Sequence, residues 1–204
     1  MIIRTENLGK RFNREWIFRN LTREFKPGHC VAITGPNGSG KSTLMQLLWA
    51  QTIPSEGKIS YEVNGQEITP EDAYANLSIA APYLDLIDTF TLKEQIDFHF
   101  SYKKPVGGMS TADMISKLQL GNTADKRLEV FSSGMRQRVK LGLAFFSDVP
   151  VTFLDEPTTN LDAASVAWYH HHLQGIKDRL MIIATNIPED YPEFAEKLHL
   201  PDYK

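Results

Sequence analysis

Alternating apolar and polar side chains predict strands through most of the first 34 residues, over 2–7, 16–25 and 29–34. Pro27 and Gly28 mark the turn between the last two of these strands. Short apolar runs predict further strands over 58–63, 77–81, 151–154 and 180–184. Strands are therefore expected towards the two ends of the chain.

Helices are predicted mainly in the middle of the chain. Thr91, followed three residues later by Glu94, is a capping-box pattern and predicts a helix to about residue 102. Further helices are expected over 110–118, after Ser132 and over 163–176. We therefore predict a single domain, 1–204, whose α/β core comprises 1–81 and 148–204 and whose residues from about 82 to 147 form an inserted helical lobe.

Composition narrows the possible classes of protein. The 204 residues are 42% hydrophobic and carry a net charge of −3, which does not favour nucleic acid as a partner. The single cysteine, Cys30, excludes an internal disulfide and fits a reducing compartment. No apolar run approaches the ~18 residues of a membrane-spanning helix, and the N-terminus lacks a secretory pattern. We expect a soluble, cytoplasmic protein.

The segment from Gly35 to Thr43 carries the strongest chemical signal, because it lies between a predicted strand and a helix-forming run and reads Gly-Pro-Asn-Gly-Ser-Gly-Lys-Ser-Thr. Its glycines let consecutive backbone N–H groups turn towards a phosphate chain, and the helix N-terminus adds the positive end of its dipole. Lys41 can then reach the terminal phosphates, and Ser42 can place its hydroxyl on Mg²⁺. The other residues predicted to bind the nucleotide here are Asn37, Gly38, Ser39, Gly40 and Thr43.

A second signal follows the apolar strand over 151–154, where the chain continues Asp155-Glu156-Pro157. Carboxylates at the C-terminal end of a buried strand are the expected partners of a phosphate-binding loop. Asp155 is predicted to hold Mg²⁺, directly or through water, and Glu156 to polarise the attacking water. Because a residue before proline avoids the helical region, we predict an extended backbone at Glu156.

The third signal, Ser132-Ser133-Gly134, opens a predicted helix and is by itself only a good helix cap. In this position, after a phosphate-binding loop and before the paired acids, it resembles the signature motif of the ABC ATPase family, Leu-Ser-Gly-Gly-Gln. Phe131, Ser133 and Met135 are departures from that motif. The resemblance spans essentially the whole chain. It implies an α/β fold of the P-loop NTPase type, with a mainly parallel sheet, an antiparallel β edge subdomain and an inserted helical lobe.

The resemblance also implies a mode of action. Family members form a head-to-tail dimer with two ATP molecules at its interface, so the serine-rich segment of one subunit would face the γ-phosphate held by Lys41 of the other. Phe12 would stack on the adenine. Asp162 would lie in the loop that communicates between subunits, at the edge of the nucleotide site. The residues implied to bind ATP across the interface are Ser132, Ser133, Gly134 and Asp162.

Two positions depart from the family pattern in ways that bear on catalysis. Asn186 replaces a histidine that contacts the γ-phosphate, and it is assigned to catalysis together with Glu156 and Lys41. Tyr83 stands where the family has a glutamine that arranges metal and water, so it is assigned to the metal site with Ser42 and Asp155. Asparagine offers only a neutral donor and tyrosine is a poor substitute for an amide. We therefore predict efficient ATP binding with modest intrinsic hydrolysis.

These signals together predict the ATP-binding and ATP-hydrolysing subunit of an ABC transporter, using ATP and Mg²⁺. The membrane permease subunits would be separate chains, and this chain would lie at the inner face of the membrane as a homodimer or paired with another ABC ATPase. The family implies a groove at the lobe entry that accepts a short helix from the permease. Most of the aromatic side chains there are predicted to be core: Phe90, Phe98, Phe100 and Tyr102.

Two alternatives to this interpretation stay open at the level of sequence. One is a soluble ABC ATPase that acts as an assembly or regulatory module. The other is a weakly hydrolysing half of a heterodimer, which the substitutions at residues 83 and 186 favour.

Overall fold

The computed structural model describes residues 1–175 and 178–204. Its strands are β1 (Ile2–Phe12), β2 (Glu15–Phe25), β3 (Cys30–Thr34), β4 (Glu56–Val63), β5 (Gln66–Ile68), β6 (Leu77–Ala80), β7 (Val151–Asp155), β8 (Leu180–Thr185) and β9 (Glu196–His199). Its helices are α1 (Lys41–Leu48), α2 (Pro70–Ala73), α3 (Leu92–Tyr102), α4 (Thr111–Leu118), α5 (Ser133–Phe146) and α6 (Ala163–Gln174).

The central sheet is parallel, with strand order β6-β7-β8-β3-β9. Strands β7 and β8 are buried along their whole length, which explains why they are continuous apolar runs and not alternating ones. Alternate residues of β3 enter two different cores. Val31 and Ile33 pack with residues of α1, whereas Cys30 and Ala32 pack with residues of α5 and α6.

The register of the central sheet brings three strand ends to one edge. Thr34 at the end of β3 pairs with Thr185 at the end of β8, and Asp155 at the end of β7 pairs with Ala184. The loops that follow these strands carry the phosphate-binding sequence, the paired acids and Asn186. In open α/β sheets, ligands bind outside the carboxyl ends of the strands, so this edge is the expected site.

A second, antiparallel sheet has the strand order β2-β1-β4-β5. Apolar side chains on its inner face, including Ile3, Phe18 and Phe25, are fully buried in the core that also receives α1. The antiparallel edge predicted from the first strands is therefore present, and it packs on the same side of the parallel sheet as the first helix.

The capping box predicted at the start of α3 is present. Thr91 accepts from the backbone N–H of Glu94 while Glu94 accepts from that of Thr91, and Ser110 caps α4 in the same way. Strands β5 and β9 were not predicted. Helix α6 begins at the predicted residue, but residue 176, its predicted end, lies outside the described residues. The division into a core and an inserted lobe stays a prediction, although α3, α4 and α5 all fall within 82–147.

Candidate active site

The phosphate-binding sequence forms a tight loop between β3 and α1. Gly40 caps the helix in the left-handed region with φ of 102°, and a Cβ at this position would lie 2.2 Å from Cγ2 of Ile17. Only glycine fits there. The loop lines a cavity of about 230 Å³ together with Ile17 and Glu156. Ile17 is not among the predicted site residues, because nothing in the sequence of β2 marks it as facing the loop.

Lys41 lies folded across this loop. Its ammonium donates to the carbonyl oxygens of Gly35 at 2.9 Å and Pro36 at 3.2 Å, and only 5% of the residue is exposed. The hydroxyl of Ser39 is buried without a hydrogen-bond partner among the described residues. The loop therefore surrounds one cation and one unpaired hydroxyl, and both are suited to anionic oxygens.

Asp155 ends β7 at the floor of the site and is 1% exposed. Its Oδ2 accepts from the Tyr83 hydroxyl at 3.2 Å, whereas its Oδ1 is buried and has no partner within the described part of the chain. Burial raises the pKa of Asp155, and the nearby hydroxyls of Ser42 and Tyr83 oppose that rise. An orphaned carboxylate oxygen beside a serine hydroxyl fits the oxygen ligands that Mg²⁺ prefers.

Glu156 has a left-handed backbone with φ of 46°, so the predicted extended conformation is wrong. The chain turns sharply here because the N–H of Glu156 still donates to the carbonyl of Ala184 at 2.8 Å, while its own carbonyl already accepts from Thr159 at 3.2 Å. This conformation costs about 1–3 kcal/mol for a residue other than glycine. It places Glu156 on the wall of the cavity that the phosphate-binding loop lines.

Asn186 follows β8 and reaches the phosphate-binding loop directly. Its Nδ2 donates to Oδ1 of Asn37 at 3.2 Å, on the exposed rim of the site. The structure therefore brings together Lys41, Asp155, Glu156 and Asn186, which come from distant parts of the sequence. The common sheet edge explains this convergence.

Tyr83 contacts the Asp155 carboxylate and packs beside Trp49, whose ring centroid is 6.3 Å away. Burial, together with the neighbouring Asp155 carboxylate, raises the pKa of its phenol, so the hydroxyl stays protonated and acts as a donor. Its assignment to the metal site stays a prediction. In this arrangement Tyr83 orients Asp155 through a hydrogen bond.

Phe12 ends β1 and is 53% exposed. The ammonium of Lys10 lies 5.3 Å from its ring centroid. Its ring is not part of the cavity that the phosphate-binding loop lines. An exposed aromatic side chain on this strand is available for stacking, and its contact with adenine stays a prediction.

The serine-rich segment lies at a different place in the molecule. Ser132 caps α5 by accepting from the N–H of Met135 at 3.2 Å. A Cβ on Gly134 would lie 2.8 Å from the carbonyl oxygen of Asn160, so this helix end packs tightly on the loop that follows Glu156. Asp162 caps α6 through the N–H of Ser165 at 2.8 Å, and hydrogen bonding to Ser165 lowers the pKa of its carboxyl group.

A second cavity of about 310 Å³ is lined by Ser132, Ser133, Gly134 and Asp162. Within the described part of the chain it shares no lining residue with the cavity at the phosphate-binding loop. One copy of the chain therefore does not bring its serine-rich segment to its own Lys41.

The family model described as "ABC transporter" matches residues 18–159, which include the phosphate-binding loop, the serine-rich segment and the paired acids. The chain belongs to this family. The Nod factor export ATP-binding protein I of Rhizobium sp. strain N33 is 30% identical over 200 residues, with 93% of this chain and 64% of that protein covered. The chain thus spans slightly less than two thirds of that relative.

Solved structures share the fold. An ABC transporter ATP-binding protein from Pyrococcus furiosus superposes with a TM-score of 0.82 at 19% identity, covering 100% of this chain and 99% of that one. A dimeric cassette, MJ0796, in a post-hydrolysis state with ADP and Pi, has a TM-score of 0.76 at 21% identity, covering 91% and 88%. The predicted family and fold class are confirmed, and the names of the relatives do not favour a free-standing ABC ATPase. Among the described residues, no helix is long and apolar enough to cross a membrane.

Proposed function

We propose that this chain is the ATP-binding and ATP-hydrolysing subunit of an ABC transporter. The observation that carries the proposal is the convergence of Lys41, Asp155, Glu156 and Asn186 at one edge of the parallel sheet. Membership of the ABC transporter family and the names of the relatives support the same function.

Each side chain has a definite task in this proposal. The ammonium of Lys41 leaves the loop carbonyls for the β- and γ-phosphate oxygens, where its charge is better matched. Glu156 accepts a hydrogen bond from the attacking water and orients it towards the γ-phosphorus. Asn186 donates its amide hydrogen to a γ-phosphate oxygen from the opposite side.

The site residues also fit a magnesium ion. Ser42 and the unpaired Oδ1 of Asp155 would hold it, with Tyr83 fixing the orientation of the carboxylate. Bound there, Mg²⁺ would neutralise charge on the phosphates as it develops.

The separation of the two cavities favours a head-to-tail dimer. The serine-rich helix end of a second chain would complete the site, because it presents unpaired N–H groups and the positive end of a helix dipole to the γ-phosphate. The dimeric cassette with the same fold supports this arrangement. Phe12 and the division into core and lobe belong to the same proposal.

A groove at the lobe entry is proposed to receive the permease at the inner face of the membrane. It is a cavity of about 270 Å³ whose rim carries Tyr74 and Phe98, which are 60% and 44% exposed. Tyr102 next to Phe98 is 79% exposed, whereas Phe90 and Phe100 are partly buried. The prediction that most of these aromatic side chains are core is therefore wrong, because two are exposed and the other two are only partly buried. A short amphipathic helix suits a groove with such a rim.

The central test is a Glu156→Gln variant of the purified chain, measured for ATP turnover and for dimer formation with ATP and Mg²⁺. We expect turnover to fall by about 10²–10⁴-fold while bound ATP stabilises the dimer, because only the proton acceptor is lost. Lys41→Ala is the control, since it is expected to lose ATP binding itself. Unchanged turnover in Glu156→Gln would rule out Glu156 as the catalytic base.

The docking groove has its own test. Phe98→Asp should abolish co-purification of the chain with its membrane subunits from detergent-solubilised membranes. Phe194→Asp is the matched control, because Phe194 is 78% exposed and lines a different cavity, beside Gly28 and His29. Equal losses in both variants would contradict a specific groove.

A weakly hydrolysing half of a heterodimer is the second candidate. Asn186 supports it, since its neutral amide already bonds to Asn37 and adds no positive charge at the γ-phosphate. A purified chain that binds ATP but hydrolyses it only when mixed with another ABC ATPase would favour this candidate.

A further inference from the structure

A buried carboxylate joins two loops of the site. Asp190 is 1% exposed and lies in a short 3₁₀ turn after β8. Its Oδ1 accepts from the hydroxyl of Thr158 at 2.5 Å, and its Oδ2 accepts from the hydroxyl of Thr185 at 2.5 Å. Thr158 lies in the turn after β7 and Thr185 ends β8, so the carboxylate bridges segments that are far apart in sequence.

Each threonine lies within two residues of a residue of the proposed reaction. Thr158 lies in the turn that begins at Glu156, and its carbonyl accepts from Leu161 at 3.0 Å. Thr185 immediately precedes Asn186, and its hydroxyl oxygen also accepts from the N–H of Ile187 at 2.9 Å. That second bond directs the hydroxyl proton towards Asp190.

The main chain of Asp190 is fixed as well. Its carbonyl accepts from the Tyr169 hydroxyl of α6 at 2.6 Å, and its N–H donates to the carbonyl of Ile187 at 3.1 Å. Burial raises the pKa of Asp190, and the two threonine hydroxyls oppose that rise. Burying a carboxylate among neutral hydroxyls costs desolvation free energy. Buried acids of this kind occur where the positions of neighbouring groups matter for chemistry.

The left-handed backbone of Glu156 explains why the Thr158–Asp190–Thr185 hydrogen bonds are needed. A left-handed residue other than glycine persists only where its surroundings hold it in place, and Thr158 anchors the turn that follows. On the other side, Thr185 anchors the turn from which Asn186 reaches the phosphate-binding loop.

We propose that Asp190 is a positioning residue for ATP hydrolysis, which ties the loop after Glu156 to the turn that carries Asn186. It holds the two side chains at a fixed separation on opposite sides of the γ-phosphate. This inference rests on the proposed ATPase function. Asp190 itself does not contact the nucleotide.

The test uses three variants that cut the bridge at different points: Thr158→Val, Thr185→Val and Asp190→Asn. Valine keeps the shape of threonine and removes one hydrogen bond to the carboxylate. We expect kcat to fall about ten- to hundredfold while KM for ATP stays within about twofold, because loop position matters in the transition state and not in ground-state binding.

Thr152→Val is the matched control. Thr152 lies on β7, is fully buried, and its hydroxyl bonds to that of Ser78 at 3.1 Å, away from the phosphate edge. It loses a buried hydroxyl bond of the same kind, so it reports the effect on folding alone. The midpoint of thermal unfolding should fall by similar amounts in all four variants. In contrast, kcat should fall only in Thr158→Val, Thr185→Val and Asp190→Asn.

A double variant tests whether Asp190 acts through Asn186. Thr185→Val combined with Asn186→Ala should be no slower than the slower single variant, since the two changes remove the same contribution. Wild-type kcat in all three bridge variants, or a fall matched by Thr152→Val, would overturn the proposal. Should Asp190→Asn not fold, the two valine variants decide the question by the same criterion. Absence of ATP turnover in the wild type would instead count against the proposed function.

Discussion

The phosphate-binding loop and the serine-rich segment are both helix N-termini, yet one chain completes only the first. The loop before α1 meets Asp155, Glu156 and Asn186 at the sheet edge, where a cavity forms within a single copy. The N-terminus of α5 instead packs on the loop after Glu156 and faces its own, separate cavity. Strand ends that are neighbours in the sheet build one half-site within a single chain. In the proposed head-to-tail dimer, the serine-rich half-site comes from a second chain.

The largest effect is expected from Gly40→Ala, which distorts the half-site formed by the phosphate-binding loop. The new Cβ would overlap Ile17 at 2.2 Å in a backbone with φ of 102°. Strain and overlap together amount to about 2–5 kcal/mol, so ATP affinity measured by titration calorimetry should fall about 30- to 5,000-fold.

Gly65→Ala is the control for that change. Gly65 has φ of 79° in the β4–β5 turn, but no atom lies within 4 Å of the point that a Cβ would occupy. It should cost about 1 kcal/mol of stability and leave ATP affinity unchanged. An equal loss of affinity in both variants would mean that Gly40 acts only through folding.

Gly134→Ala distorts the half-site formed by the serine-rich N-terminus of α5 and should have the next largest effect. Its Cβ would lie 2.8 Å from the carbonyl oxygen of Asn160, a backbone atom that cannot move aside easily. ATP affinity of the isolated chain should stay within about twofold, whereas turnover should fall about tenfold or more, because the serine-rich helix end is displaced.

Mixing the two glycine variants sharpens the comparison. In a head-to-tail dimer, the intact loop of Gly134→Ala faces the intact helix end of Gly40→Ala, so random mixing restores about a quarter of the sites. Turnover of the mixture should therefore exceed that of either variant alone. A mixture no faster than the separate variants would contradict sites shared between chains.

Asn186→His is expected to have a smaller effect in the opposite direction. A protonated imidazole beside the γ-phosphate replaces a neutral amide, and the charged hydrogen bond is worth about 1 kcal/mol more. Turnover at saturating ATP should rise about five- to tenfold. Asn186→Ala is the companion variant and should be slower than the wild type, and no change in either one would remove residue 186 from the mechanism.

The smallest effect concerns the capping box of α3. Thr91→Ala removes an N-cap hydrogen bond and should lower stability by about 1 kcal/mol, or about 2–4 °C in the unfolding midpoint. Ser110→Ala removes the same kind of cap from α4 and is the matched comparison. ATP affinity should not change in either variant, because both caps lie outside the phosphate-binding half.

Local patterns predicted the elements well where one segment contains the whole signal. The buried apolar runs of β3, β7 and β8 and the caps of α3 and α5 depend on neighbouring residues, so they could be identified before folding. Strand β9 carries no such signal. It becomes a strand because the exposed side of β3 offers it backbone partners, with Leu198 as its one buried side chain.

The backbone of Glu156 shows where local reasoning fails. The preference of a residue before proline is worth less than the hydrogen bonds that Ala184 and Thr159 make with this residue, and neither partner is visible from the dipeptide. Ile17 and Asp190 were missed for the same reason. Their importance arises from what other strands bring to them.

The sequence by itself determined the family, the phosphate-binding loop and the paired acids, because each depends on residue types at fixed short spacings. Tertiary structure alone decided that Asn186 meets Asn37, that Tyr83 bonds to Asp155, and that the serine-rich helix end turns away from Lys41. Those relations follow from the order and register of parallel strands, which join segments that lie far apart along the chain.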